Sequence, residues 1–237
     1  MTFCTACGRT LAAPLAAATM PATAAAASVP SGRPVGRMVA LWKPIVFPFI
    51  TLGIYVYFFW WRISGEIDAY AGSRSRALVR TGVLVTVVGG ILFGVATISI
   101  LAPLYTAAFE SASEDPAALD AFPTESEINA LYLASPTFLS GAALLLAGYA
   151  VLWTGLWRAW TALAADEGAR GVTDPIKPPI LLGILLAGPL FQAISFFVPG
   201  IGILSFVAGV AVFYVLYTTQ AHLNRAWVAN GAPPIGA

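Results

Sequence analysis

The sequence predicts an all-α fold, a polytopic helical membrane bundle with four full spans plus one short apolar segment that either re-enters or spans; the alternative count is five spans. Three observations carry this. First, 59% of the 237 residues are hydrophobic and only 10% are charged, whereas a soluble domain has about 25% charged residues. Second, the charges are absent from four tracts, Pro44–Trp61, Thr81–Phe109, Ile128–Trp157 and Pro178–Gln220, and a spanning helix needs about 20 apolar residues. Third, runs such as Gly141-Ala-Ala-Leu-Leu-Leu-Ala do not alternate polar with apolar positions, as strands of a membrane barrel would.

Each tract has its own logic. Pro178–Gln220 is too long for one crossing, and Val198-Pro199-Gly200-Ile201-Gly202 near its middle is a turn signal. It reads as two helices, about 179–198 and 201–219. Thr81–Phe109 and Ile128–Trp157 each read as one span. Gly90-x3-Gly94 in the first of these would let another helix of the bundle approach closely.

The cations orient the bundle, because Arg and Lys in short loops favour the cytoplasmic side. The connection 62–80 carries Arg62, Arg74, Arg76 and Arg80, the connection 158–177 carries Arg158, Arg170 and Lys177, and the tail carries Arg225. Residues 110–127 instead hold Glu110, Glu114, Asp115, Asp120, Glu125 and Glu127 with no cation. That acidic loop is expected outside and the basic ones inside, with both termini cytoplasmic. Trp61-Arg62, Trp157-Arg158 and Arg225-Ala-Trp227 set aromatic rings beside cations, the pattern of a membrane interface. In the acidic loop Thr124-Glu125-Ser126-Glu127 fits a capping box that starts a helix.

Residues 44–61 are the difficult case. If they cross, Arg9, Arg33, Arg37 and Lys43 lie outside; if they re-enter, all twelve positive residues stay inside. The positive-inside bias favours re-entry. Halving the tract at Thr51–Gly53 leaves arms of about 12–15 Å at ~1.5 Å per residue, and glycine permits the reversal. The competing reading is a short, kinked spanning helix whose Thr51 hydroxyl bonds back to its own carbonyl.

Lys43-Pro-Ile-Val-Phe-Pro-Phe-Ile-Thr-Leu-Gly-Ile-Tyr-Val-Tyr-Phe-Phe-Trp-Trp-Arg62, followed by Glu66-Ile67-Asp68, resembles an uncharacterised prokaryotic membrane-protein family known as domain of unknown function 4234. The resemblance covers roughly residues 36–101, and the closing Gln220-Ala-His-Leu-Asn224-Arg-Ala-Trp227 is similar to tails of that family. The family pattern commonly has Asn where this chain has Asp68. The resemblance implies no activity, since none is established for the family.

Beyond each cytoplasmic boundary the apolar stripes continue: Ile63, Ile67 and Tyr70; Trp157, Trp160 and Leu163; Leu216, Gln220, Leu223 and Trp227. Gln220 and Asn224, one helical turn apart, can act together, and Glu66 is the candidate to join them in a polar cluster. Glu66 and Asp68 face different sides. Thr51, Gly53 and Gln192 are the candidates for a helix break or a pore lining.

The amino terminus, residues 1–10, carries Cys4 and Cys7 in a C-x2-C turn that looks like half of a short zinc ribbon. A structural zinc needs four ligands, so two readings stand: one zinc shared between two chains, or a vestigial, reduced thiol pair. Residues 11–43 read as an Ala/Pro-rich linker rather than a cleaved signal peptide. Residues 44–227 form the membrane domain and 228–237 a flexible tail.

Absences bound the function. The predicted spans hold no Asp, Glu, Lys or Arg, residues that proton relays, ion pathways and voltage sensors use. One His, no G-x-S-x-G and no H-E-x-x-H argue against an enzyme. A net charge of +1 gives no field for nucleic acid. The expectation is a multi-pass protein of the inner or plasma membrane, non-enzymatic, acting as an accessory, scaffold or sensor component. Its partners would be the lipid bilayer and another membrane protein or a second copy. The alternative is a small transporter or channel for an uncharged solute.

Overall fold

The computed structural model describes residues 36, 38–51, 53–114, 123–195 and 202–232, all within the compact unit Arg33–Ala237. Cys4, Cys7 and most of the 11–43 linker lie outside the described residues. Seven helices account for nearly all of the described chain: α1 Lys43–Ile50, α2 Ile54–Ala71, α3 Arg76–Glu114, α4 Glu125–Ala134, α5 Pro136–Ala169, α6 Pro178–Ser195 and α7 Gly202–Ala229. No strand occurs among the described residues.

Among the described residues three helices are long and apolar enough to cross a membrane, at Arg76–Ser111, Pro136–Ala169 and Phe206–Ala229, and Pro178–Phe191 is a shorter apolar helix. The tracts predict four full spans; α3, α5 and α7 supply three, and the fourth, about 179–198, runs past the described residues of α6, which end at Ser195. The tract 128–157 is not one helix. Ser135 is extended, with φ −88° and ψ 112°, and its hydroxyl accepts the Phe138 amide, because a residue before proline is pushed out of the helical region. The crossing helix therefore begins at Pro136 and runs past the predicted end to Ala169. In α6, Pro189 sits inside the helix and removes a backbone donor. The capping box of Thr124 and Glu127 forms as read, with the Glu127 carboxylate accepting the Thr124 amide at 2.8 Å.

α3 and α5 lie antiparallel and touch backbone to backbone. Gly82 meets Leu152, Gly89 meets Leu145, and from the other side Gly141 meets Phe93, Gly148 meets Thr86 and Gly155 meets Val79. The glycines recur every seven residues on both helices, so each step along α3 is matched by an equal step back along α5. A seven-residue repeat keeps one seam facing its partner, and glycine along that seam lets the backbones approach. The pair predicted for close approach is not on this seam: a methyl at Gly94 would meet nothing within 4 Å, and one at Gly90 only the end of Leu145 at 3.8 Å.

α1 and α2 form a hairpin. Thr51 joins them: its hydroxyl donates to the Phe47 carbonyl at 2.8 Å and accepts the Tyr55 amide at 2.9 Å. The hydroxyl thus satisfies the orphan Tyr55 amide of α2 and shares the Phe47 carbonyl with the Thr51 backbone amide, which donates to it at 3.0 Å. Gly53 takes the left-handed conformation, φ 88°. Along α7, Val39 meets Asn224, while Phe49 stacks on Phe213 at 4.5 Å, about 16 Å further back at 1.5 Å per residue. The chain then returns, with Arg62 on Gln220 and Tyr70 beside Trp227 and Asn230. Both limbs therefore open at the same end of α7.

Burial is deepest at that open end. Ile63, Ile67, Trp160, Leu163, Leu216, Leu223 and Trp227 are fully buried, so the stripes that continue past the expected boundaries form the packed core, except at Trp157, which is 39% exposed. Trp60 meets Trp160 edge to face at 6.0 Å, and Tyr70 meets Trp227 likewise at 5.0 Å. Trp227 stands in two sequence patterns, the interfacial Arg225-Ala-Trp227 and the stripe through Leu216, Gln220 and Leu223. It is enclosed, as the stripe predicts and the interface pattern does not, with Tyr70 and Gly36 closing over its ring. Away from this end α3 exposes Leu84, Ile91 and Ile98 at seven-residue spacing, and α7 exposes Ile203 and Phe206, apolar stripes of the kind that mark membrane or partner contact.

Candidate functional site

The polar side chains collect where the hairpin opens. α2 places Arg62 and Glu66 one turn apart, and α7 does the same for Gln220 and Asn224. The Arg62 guanidinium donates to Gln220 Oε1 at 2.7 Å and lies 3.5 Å from Glu66 Oε1. Gln220 donates to Asn224 Oδ1 at 2.9 Å, and the Asn224 amide donates to the Val39 carbonyl at 2.8 Å and accepts the Val39 amide at 3.3 Å. Glu66, Gln220 and Asn224 thus lie on one chain of contacts, with Arg62, not foreseen, as the link. Asp68 faces elsewhere. Its Oδ1 accepts the Ser75 amide and the Ser73 hydroxyl, both at 3.0 Å, and shapes the α2–α3 turn. Both bonds use one acceptor oxygen, so an asparagine carbonyl would serve equally.

Burial raises the Glu66 carboxyl above the ordinary glutamate value of 4.5, and Arg62 only partly lowers it again. Its Oε2 is buried without a hydrogen-bond partner. A carboxyl raised in the fold holds its proton more tightly folded than unfolded, so stability falls as pH rises from 4.5 through the raised value. Glu66→Gln should remove that slope, since Arg62 keeps Gln220. Thermal unfolding in detergent, from below the ordinary glutamate value to neutrality, checks this: parallel wild-type and variant curves would refute it.

A second cluster was not foreseen. Glu167 of α5 is fully buried, and its carboxylate accepts the Ile176 amide at 2.8 Å and the His222 Nδ1 proton at 2.8 and 2.9 Å. Against an ionised Glu167, which can only accept, Nδ1 is the nitrogen that donates. Glu167 thereby ties the α5–α6 connection to α7. Beside it Tyr70 donates to Asp166 at 2.8 Å, and Arg170 pairs with Asp166 at 2.7 Å. The only available signal was the single histidine standing in the tail motif, and nothing in the sequence named its partner 55 residues away.

Thr51 and Gly53 form the break between α1 and α2, and Gly53 lines a 350 Å³ cavity with Tyr57, Trp60, Tyr149, Trp153 and Pro189. Gln192 belongs to α6, but its side chain lies outside the described residues, as do both cysteines proposed for zinc. No group of three metal-ligating side chains occurs among the described residues.

Chemically, the open end holds internally bonded amides and paired ions, and the tip holds a small, mostly apolar space. No curated protein and no solved structure matches the chain. Residues 39–109, spanning the hairpin and most of α3, match the model of a domain of unknown function, DUF4234.

Proposed function

We propose that this chain is a multi-pass protein of the inner or plasma membrane, acting without catalysis as an accessory, scaffold or sensor component. The α1–α2 hairpin enters and leaves from the cytoplasmic face. One observation carries the reading: the polar groups at the hairpin's open end are spent on one another, from Val39 through Asn224 and Gln220 to Arg62. Such a network fixes the position of a re-entrant element, and Glu66, the carboxyl that keeps an unpartnered oxygen, lies buried beside Arg62. The cationic connections next to it favour the cytoplasmic side.

The topology is tested with single cysteines in a background lacking Cys4 and Cys7. Cysteine at Asp115 or Asp120 should react with an impermeant thiol reagent in intact cells. At Ser73 or Ala169 it should react only after permeabilisation, and the reverse pattern would invert the orientation. Crosslinking and pull-down from native membranes tests the role, a stoichiometric protein partner being the expected result.

The cavity at the hairpin tip favours a second reading, a small transporter or channel for an uncharged solute. Non-helical backbone at membrane depth is tolerated where it is buried or lines a cavity, and Gly53 lines this one. Specific solute flux in proteoliposomes, with no copurifying partner, would select this reading over the first.

A further inference from the structure

Between α2 and α3 runs an open groove of 660 Å³, its walls including Ile54, Phe58, Trp61, Val83, Val87 and Ile91. That volume lies within the range of about 300–1,000 Å³ typical of ligand sites. One wall ends where α2 begins, at Ile54. At the opposite end the Arg80 guanidinium covers the Trp61 ring at 4.8 Å. Arg80, Leu84, Val87 and Ile91 follow one another at four, three and four residues, a single stripe of α3. A cation thus terminates an apolar trough. From Arg80 to Ile91 the trough is about 16 Å long at 1.5 Å per residue, about half of a ~30 Å hydrocarbon core.

Among the described residues Arg80 has no counter-charge. Its Nε is buried without a partner, and no ion pair or hydrogen bond is made by its guanidinium among the described residues. Arg62 pairs with Glu66, Arg170 with Asp166 and Lys177 with Asp174, whereas Arg76 and Arg158, both exposed, make no ion pair among the described residues. Arg80 differs from these two in being partly buried. A partly buried guanidinium without an acceptor is costly, and its planar fork matches a phosphate. Arg76, exposed one turn earlier, adds positive charge at the same end.

We propose that this groove binds one anionic glycerophospholipid from the leaflet that meets the Trp61–Arg80 end. One acyl chain lies along Phe58, Val87 and Ile91, and the phosphate accepts hydrogen bonds from Arg80. The depth selects a lipid over a partner helix: α3 continues to Glu114, but the groove stops at mid-depth, where a single leaflet's chains end. The inference rests on the membrane reading above.

The full chain is reconstituted into phosphatidylcholine vesicles containing a minority of phosphatidylglycerol, recovered by flotation, extracted gently and weighed by native mass spectrometry. The expected result is one phosphatidylglycerol retained per chain, enriched about tenfold over phosphatidylcholine, the order of one charge-assisted contact. Arg80→Gln should abolish the enrichment and Arg80→Lys should keep part of it. Val87→Trp, filling the groove, should lower retention of both lipids, whereas Val88→Trp, which does not line it, should not. This second pair decides the question even if Arg80→Gln fails to fold. Inserted protein without headgroup preference, or equal retention by both tryptophan variants, overturns the lipid site and leaves the membrane reading standing. Protein that does not float with vesicles overturns both.

Discussion

Gly148→Ala is expected to destabilise the bundle, and Gly94→Ala to leave it unchanged or stabilise it, although both place alanine inside an apolar helix. A methyl at Gly148 would meet the Thr86 amide nitrogen at 2.5 Å and its Cα at 2.9 Å, whereas one at Gly94 would meet nothing within 4 Å. The neighbour of Gly148 is backbone, so α3 and α5 must separate along their seam. Overpacking of this kind costs about 1–3 kcal/mol, and more when the backbone moves. Alanine's higher helix propensity returns at most about 1 kcal/mol. Gly148→Leu should prevent the α3–α5 pair from forming. Reversible unfolding in mixed micelles checks the pair of alanine variants, and equal effects at the two sites would mean that the register of α3 on α5 is wrong.

Removing His222 should be comparably severe. His222→Ala leaves the Glu167 carboxylate fully buried with the Ile176 amide as its remaining donor. Breaking a buried pair from one side costs about 3–5 kcal/mol, since the surviving group keeps its desolvation penalty and loses its partner. Limited proteolysis should then cut the connection 170–177, which Glu167 holds through Ile176. Replacing both members with apolar residues, Glu167→Met with His222→Leu, should recover part of the loss, because no buried carboxylate remains. A double-mutant cycle measures the coupling; additive single effects would show that the two side chains do not act as a pair.

These two sites differ in how far the sequence exposed them. The glycine repeat at 82 and 89, and at 141, 148 and 155, was present as a period of seven. Gly90 and Gly94 offered an equally plausible contact. Choosing between them requires the rotation of α3 about its axis, which is set by what packs around it. The pairing of Glu167 with His222 depends in the same way on three helices meeting at one depth. By contrast Gln220 and Asn224 share a helix face by spacing alone, and Thr124 with Glu127 forms a cap from local sequence.

Composition, charge placement and periodicity by themselves determined the helical class, the apolar segments, the stripes that become the core, and the break at Thr51–Gly53. These are properties of a residue and its neighbours within one or two turns, where backbone geometry alone decides which side chains share a face. The tertiary structure decided that 128–157 divides at Ser135–Pro136 while α5 runs on to Ala169. It also decided that Trp227 is enclosed rather than interfacial, that Arg62 links Glu66 to Gln220, and that both limbs of the α1–α2 hairpin open beside the end of α7. Those outcomes depend on contacts between segments far apart in the chain, because the order of residues fixes each helix's faces but not which faces meet.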